Sequence, residues 1–555
     1  MKHPAPPREV GHNEPVTART AREVGLAHAV RTPAPALVTT VPETTLPRAS
    51  STRHAGSSRS PRTRTAGGSR PRSVRVLTVF FVGFPLWWLV GLGQLGHLLV
   101  AVVLAGYLLK ARRVAVPAGF GLWLLFLVVL AVSAVTIWSP IPGLVPAVGG
   151  ERILTYGFWA AWFLTAMIFL LYLGNVPEAH LPTHRVVDMM AWLFLITVAG
   201  GYAGQFLWHV DFPSLLEVVL PASVRDINLL SIMIHPGLAQ VQDILGFEAP
   251  RPKAPWTYAN GWGASYGLLL PFFVLAFTGP RASVARRVAF VPLLLLAIPP
   301  VIFTLNRGLW AGLAVMAGYV AIRLALRGRF LVLALLAGLS VAAGVILART
   351  PLAEIILARL DNPHSNQGRT NLAVTAVRTV LEHSPLVGLG TPRALEGNFF
   401  SAAGGATESC PQCSPPQLGT QGSFWFLLFT TGLLGAGFFC AFLLRRYASG
   451  MRQGTSLGIA MTATGIYLAV VIWVYDIVGS SLVTVMIALA LLWRAERAGT
   501  GARDGTGGSS RDGRSSAGSI ADGDGDRVGD GHPDGGAAGA GIWREPAGVV
   551  RAGPR

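Results

Sequence analysis

Residues 288–324 read VAFVPLLLLAIPPVIFTLNRGLWAGLAVMAGYVAIRL. Between Arg287 and Arg323 the only charge is Arg307, in the turn Thr304-Leu305-Asn306-Arg307-Gly308. Crossing ~30 Å of hydrocarbon takes roughly 20 apolar residues in a helix, somewhat fewer inside a bundle. Two such runs back to back, joined by one short polar turn, predict a helical hairpin in a membrane.

Working outward, similar runs recur along the chain. Spans are expected at about 76–92, 95–109, 117–138, 153–173, 186–207, 262–278, 288–304, 309–324, 330–348, 423–444, 457–475 and 479–493. Composition agrees: 52% of the 555 residues are hydrophobic, 13% are charged, and the mean hydropathy is +0.50. A soluble chain carries about 25% charged residues. The expected fold is therefore all-α and polytopic, with about twelve transmembrane helices.

The net charge of +18 invites a nucleic-acid reading, but its distribution argues against one. Eight arginines and no acid lie between Arg48 and Arg75, and most other cations sit in short loops between apolar runs. Those are topology determinants, so no nucleic-acid partner is expected and the partner surface is the lipid bilayer. With the basic N-terminal tail in the cytoplasm, the loops 110–113, 174–185, 281–287, 323–329 and 445–452 fall on the same side, with Arg494 and Arg497. All but the second are strongly basic. The expectation is a multi-pass cell-membrane protein with both termini cytoplasmic and three longer outer segments, 139–152, 208–260 and 349–422.

Three regions follow. Residues 1–74 read as a disordered basic tail, 75–498 as the membrane domain and 499–555 as a disordered Gly- and Asp-rich tail. Within the last, Asp522-Gly-Asp524-Gly-Asp526 resembles the start of a calcium loop. Arg527 and Pro533 stand where Gly and Glu are needed, so the match fails. No internal repeat points to an inverted-repeat transporter.

Positive charge is sparse on the outer side of most membrane proteins. Here the segment 349–422 carries Arg349, Arg359, Arg369, Arg378 and Arg393, and Arg307 tips another helix. Cations kept there suggest an anionic ligand, with a lipid-linked phosphate the obvious class. A single arginine at a helix end can also snorkel to the headgroups. Gly308 beside Arg307 would let backbone amides and a guanidinium approach one phosphate together. Downstream, Gly368-Arg369 precedes a helix through Ala373, Val377 and Leu381. Arg378, nine residues on from Arg369, should point to a different side. Ser384-Pro385-Leu-Val-Gly388-Leu-Gly390 reads as a helix stop and a Gly-rich turn. Gly419-Thr420-Gln421-Gly422 leads into a span with Gly432-Leu-Leu-Gly435, a spacing that permits close helix packing.

Elsewhere in the outer segments, Leu215–Leu220 and Ile227–Ile234 are too short to span and suit interfacial helices. Trp256-Thr-Tyr258-Ala-Asn260 suits either sugar binding or an aromatic anchor at the interface. His209, Asp211, Asp226 and His235 fit no standard metal spacing. Cys410-Pro-Gln-Cys413 admits a local disulfide or two free thiols, and nothing nearby completes a zinc site. Cys440 lies within an apolar run.

Taken in order, these motifs resemble the O-antigen ligase and Wzy-type polymerase family, which includes bacterial protein O-oligosaccharyltransferases. The resemblance covers roughly 250–444. It rests on Arg251-Pro252 through Asn260, Asn306-Arg307-Gly308, Gly368-Arg369, His383-Ser-Pro385 through Gly390, Gln421-Gly422 and Gly432-Leu-Leu-Gly435. It implies a GT-C-like, metal-independent glycosyltransferase without a cofactor. Such an enzyme passes a glycan from an undecaprenyl-pyrophosphate carrier to a glycan or protein acceptor at the outer membrane face. Arg307 and Arg369 would hold the pyrophosphate, with Gln421 at the catalytic position. Asn306, Arg378, Arg393, Trp256, Tyr258 and Asn260 would be substrate-binding. The family usually carries a histidine where this chain has Gln421. Glutamine orients by hydrogen bonds and takes no proton at neutral pH. Either another base then acts, with Glu382, His383, Glu396 and Asp476 available, or pyrophosphate departure runs ahead of attack. A non-catalytic relative in an envelope-assembly complex, and a transporter or flippase of lipid-linked glycans, are the alternatives. The spans carry little interior charge, which favours chemistry at one face over translocation.

Overall fold

The structure is a computed structural model that describes residues 71–146, 150–225, 227–243, 248–349, 364–395, 417–420 and 422–507. Most of residues 1–74 and 499–555 lies outside these ranges. At the inner edges of the two tails, helix begins at Arg72 and the last helix runs on to Gly507.

Every apolar run forms a helix or a helix pair. In order these are α1 (Arg72–Val82), α2 (Phe84–Val90), α3 (Gly96–Lys110), α4 (Phe120–Ser133), α5 (Glu151–Asn175) and α6 (Thr183–Phe206). Three short helices follow, α7 (Leu215–Val219), α8 (Ala222–Arg225) and α9 (Asn228–Ile234). Then come α10 (Ala259–Thr278), α11 (Val284–Leu296), α12 (Ile298–Phe303), α13 (Arg307–Ala325) and α14 (Phe330–Ala348). The chain closes with α15 (His364–His383), α16 (Ser423–Met451), α17 (Ser456–Val471) and α18 (Ser480–Gly507).

The chain is an all-α membrane protein, but the expected count of twelve spans is not reproduced. Six helical stretches among the described residues are long and apolar enough to cross a bilayer, or up to seven if the α1–α2 pair, bent by 75°, is one span. Length accounts for three of the differences: α3, α4 and α17 are apolar but short. Gly83 and Pro85 account for the α1–α2 bend, since proline lacks the amide that would continue the helix.

The sequence did not foretell strands. Within the segment 208–260, β1 (Ala239–Asp243) and β2 (Glu248–Pro252) pair antiparallel, Ala239 opposite Pro252 and Asp243 opposite Glu248. The hairpin packs beside α6 and α12, while α7 and α9 match the two short helices expected nearby. Ser214 opens α7 with a reciprocal capping box to Glu217.

Loops that should share one side do meet. The Ala115 amide donates to Asn175 Oδ1 at 2.8 Å, and Arg494 bonds Glu178 and the Leu181 carbonyl. Arg286 pairs with Asp188 at 2.6 Å, Arg323 donates to the Gln453 carbonyl at 2.9 Å, and buried Arg446 pairs with Glu496 at 2.8 Å. These contacts define a basic end of the bundle.

The helix α16 is broken at Gly432, whose φ of 64° and ψ of −168° suit glycine alone. A break frees backbone groups that must find partners, most of all in a membrane. Residues 385–390 supply them. The Leu389 and Gly390 amides donate to the Phe429 and Thr430 carbonyls at 2.8 and 3.0 Å. The Leu433 and Leu434 amides donate to the Pro385 and Leu386 carbonyls at 2.8 and 3.2 Å. Gly388 is as constrained as Gly432: at φ +69°, a Cβ on it would lie 2.5 Å from the Gly432 nitrogen. The two glycine motifs are thus halves of one joint. Gly435 lies beside Val129 of α4, but a Cβ on it would first meet Thr431 of its own helix, across the break.

Candidate functional site

At the end opposite the basic loops, Leu305 sits at φ +53°, an uncommon region for a side chain with a Cβ. Arg251 holds this turn. Its Nε donates to the Thr304 carbonyl at 2.9 Å, and its Nη2 donates to Asn260 Oδ1 at 3.1 Å and to Asn306 Oδ1. Asn306 Nδ2 donates in turn to the Ala259 carbonyl at 2.8 Å. Asn306 is buried, and both asparagines expected to bind substrate accept hydrogen bonds from Arg251. Their work is to fix where Arg307 begins α13.

A second support comes from residues 472–476, after α17. Tyr475 is buried, and its hydroxyl accepts the Leu309 amide at 2.8 Å, in the first turn of α13. Gly308 permits this approach, because a Cβ there would lie 2.9 Å from the Tyr475 hydroxyl. So Gly308 makes room for a tyrosine ring. The Val474 carbonyl accepts Arg369 Nη1 at 3.4 Å. Residues 474–475 thus stand between the two arginines: Arg369 bonds the Val474 carbonyl, and Gly308, next to Arg307, lies against Val474 and Tyr475. Asp476 Oδ1 accepts the Gly422 amide at 3.2 Å, and its charge reaches Tyr258, which is exposed.

The helix α15 starts at His364, so Arg369 lies inside it rather than ahead of its body. A cleft of about 900 Å³ runs beside this helix. Arg369, Val377, Arg378, Leu381, Trp425 and Trp473 are among its walls. The nine-residue spacing was expected to separate Arg369 from Arg378, yet long side chains bring both to the cleft. Arg378 Nε donates to Glu382 Oε1 at 2.8 Å, and this bond holds the Glu382 carboxyl below its ordinary range. That makes Glu382 a poorer base. His383 Nδ1 lies 3.0 Å from the Thr379 carbonyl at the helix end.

Two expected substrate-binding residues lie elsewhere. Arg393 is buried, donating to the Ser139, Thr136 and Ile137 carbonyls at 2.7, 2.8 and 3.1 Å. Burial, with Arg152 nearby, pushes its guanidinium down to about 10, which still leaves it charged at neutral pH. Trp256 is buried beneath Phe84, with Nε1 donating to Thr197 Oγ1 at 3.2 Å, so it has no free face for a sugar. His235 pairs with Asp211 at 2.7 Å and Glu217 at 3.2 Å; among the described residues no group of three or more His, Cys, Asp or Glu could hold a metal ion. Cys440 is a half-buried free thiol in α16. Gln421, Cys410, Cys413, Arg359, Glu396 and Asp226 lie outside the described residues.

Sequence reading missed Trp473, Val474 and Tyr475, although an aromatic run beside Asp476 at the end of a span was a visible signal. No family model matches the chain, and no curated protein matches it. Fold and site together define a class: a helical membrane protein with an amphipathic cleft walled in part by Arg369, at the end away from its basic loops.

Proposed function

We propose that this chain crosses the membrane about twelve times with both termini cytoplasmic, as a GT-C-like glycosyltransferase of the O-antigen ligase and polymerase type. It transfers or polymerises glycan from an undecaprenyl-pyrophosphate carrier at the outer face. The observation that carries this reading is Arg369 in the wall of the cleft, bonded to Val474, which also lies against Gly308 beside Arg307. Like charges held near one another cost free energy. A diphosphate seated between them offsets that cost and receives charge-assisted hydrogen bonds.

In the reaction, an acceptor hydroxyl attacks the anomeric carbon of the carrier-linked sugar. The bond from that carbon to the diphosphate oxygen breaks, and the electron pair leaves on undecaprenyl diphosphate. Fixed guanidinium groups stabilise that developing charge. The hydroxyl proton goes to a base. Among the described candidates Asp476 suits the task, because its loop bonds Arg369 and the Leu309 amide, two residues on from Arg307.

The break at Gly432, like the α1–α2 bend, favours a transporter, since broken helices form many transport sites. Its nearest backbone groups are engaged by residues 385–390, which leaves them unavailable to a solute. The test is deletion of the gene, then complementation with the natural chain or with Arg307→Ala. The variant should reach the membrane at normal levels and transfer no glycan; retained transfer refutes the pyrophosphate role. In the deletion, short capped chains indicate a polymerase, and full-length glycan stranded on its carrier a ligase. Glycan confined to the cytoplasmic leaflet indicates a flippase.

A further inference from the structure

The first turn of α13 is capped from far away in the chain. Asn306 is the residue at its N-cap, a place where an asparagine side chain commonly accepts an amide of the first turn. Here it makes no such bond. Its Oδ1 accepts Arg251, and its Nδ2 donates to the Ala259 carbonyl at 2.8 Å. The Leu309 amide, three residues on, is taken instead by the Tyr475 hydroxyl at 2.8 Å, from 166 positions along the chain.

Tyr475 lies in a strap, residues 472–477, between α17 and α18. The strap is itself fixed to the start of α16. The Ser423 amide donates to the Tyr475 carbonyl at 2.9 Å, and the Phe424 amide donates to the Ile472 carbonyl at 3.0 Å. The Ile477 amide donates to Ser423 Oγ at 2.6 Å, and Trp425 Nε1 donates to the Trp473 carbonyl at 2.9 Å. From this anchored backbone, two neighbouring residues reach out. The Val474 carbonyl accepts Arg369 of α15, and the Tyr475 hydroxyl holds the turn of α13 that opens with Arg307.

One guanidinium is enough to hold a phosphate monoester. A diphosphate has two phosphoryl groups at a set separation. It gains from a second cation only when the spacing is preset, because ordering the site on binding costs free energy. Without the Tyr475 hydroxyl the Leu309 amide loses its partner and the first turn of α13 can fray. Arg307 then moves, while Arg369 keeps its carbonyl. The spacing of the cations changes and their charge does not.

We propose that Tyr475 is a positioning residue, whose hydroxyl sets Arg307 at the distance from Arg369 that a lipid-linked diphosphate spans and so makes the site prefer a diphosphate to a monophosphate. This rests on the glycosyltransferase reading above and adds the residue that sets the spacing. The test uses the full chain in nanodiscs of neutral phospholipid, with undecaprenyl diphosphate and undecaprenyl monophosphate as probes. Tyr475→Phe keeps the ring beside Gly308 and removes only the hydroxyl. Tyr447→Phe is the control, because it removes a buried hydroxyl, 3.1 Å from Thr464 Oγ1, near the other end of α16.

Tyr475→Phe should weaken diphosphate binding about fivefold, the equivalent of ~1 kcal/mol and the usual cost of a lost cap, with monophosphate binding unchanged. Tyr447→Phe should leave the ratio of the two affinities as it is. Slow hydrogen exchange at the Leu309 amide of the natural chain, faster in Tyr475→Phe, supports the cap; rapid exchange in the natural chain overturns it whether or not the variant folds. If Tyr475→Phe weakens both phosphates equally, or neither, Tyr475 does not set the spacing, and the transferase reading stands while Arg307→Ala still abolishes diphosphate capture. If the natural chain binds no diphosphate, both readings fall.

Discussion

Replacing Gly432 by alanine tests the joint between α15 and α16. The residue occupies φ 64°, ψ −168°, a region nearly closed to alanine, where strain costs of order 1–3 kcal/mol. The new Cβ would also press on the Leu386 carbonyl, whose backbone is held by a hydrogen bond from Leu434 and cannot swing aside cheaply. Overpacking of that kind adds about 1–3 kcal/mol. The sum predicts a loss of ~2–6 kcal/mol. Gly437 supplies the control, because it lies in the same helix with nothing within 4 Å of its would-be Cβ. There, alanine should be neutral or stabilising by ~0.5–1 kcal/mol, since glycine is costly inside a helix. Unfolding midpoints of both purified variants, measured in one detergent, make the comparison independent of the absolute scale. Glycan transfer should fall in Gly432→Ala as well, because the joint fixes α15 and so the position of Arg369. Equal midpoints for the two variants would refute the reasoning, for they would mean that the break imposes no backbone requirement.

Two further outcomes are expected. Arg393→Leu should lower the unfolding midpoint measurably, by the equivalent of ~2–4 kcal/mol, because several carbonyls around residues 136–139 lose a charged donor in a buried place; a change in the affinity for carrier with an unchanged midpoint would instead put Arg393 at the substrate. Gln421→His should keep or raise transfer activity in the complementation assay, and loss of activity at normal membrane levels would show that the site works without the family's histidine chemistry.

Sequence alone determined the class of this protein. Hydropathy belongs to each side chain before folding, so twelve apolar runs could be read directly, and each became helix. Charge works in the same way: the basic loops Lys110–Arg113, Arg281–Arg287 and Arg445–Arg452 announced an end of the bundle by their composition. The number of crossings was less legible, because it depends on where helices stop and bend, as at Gly83 and Pro85. Arginine roles were the least legible. Arg251, Arg307, Arg369 and Arg393 look alike in sequence, yet Arg251 is engaged by the Thr304 carbonyl and two asparagines and Arg393 by backbone carbonyls, while Arg369 lines the cleft and bonds the Val474 carbonyl. Those carbonyls carry no residue signature, and the residues that present them are distant in the chain. Only the tertiary structure brings Thr304, Val474 and Ser139 to their arginines, and only it shows that Gly388 and Gly432 answer one steric demand.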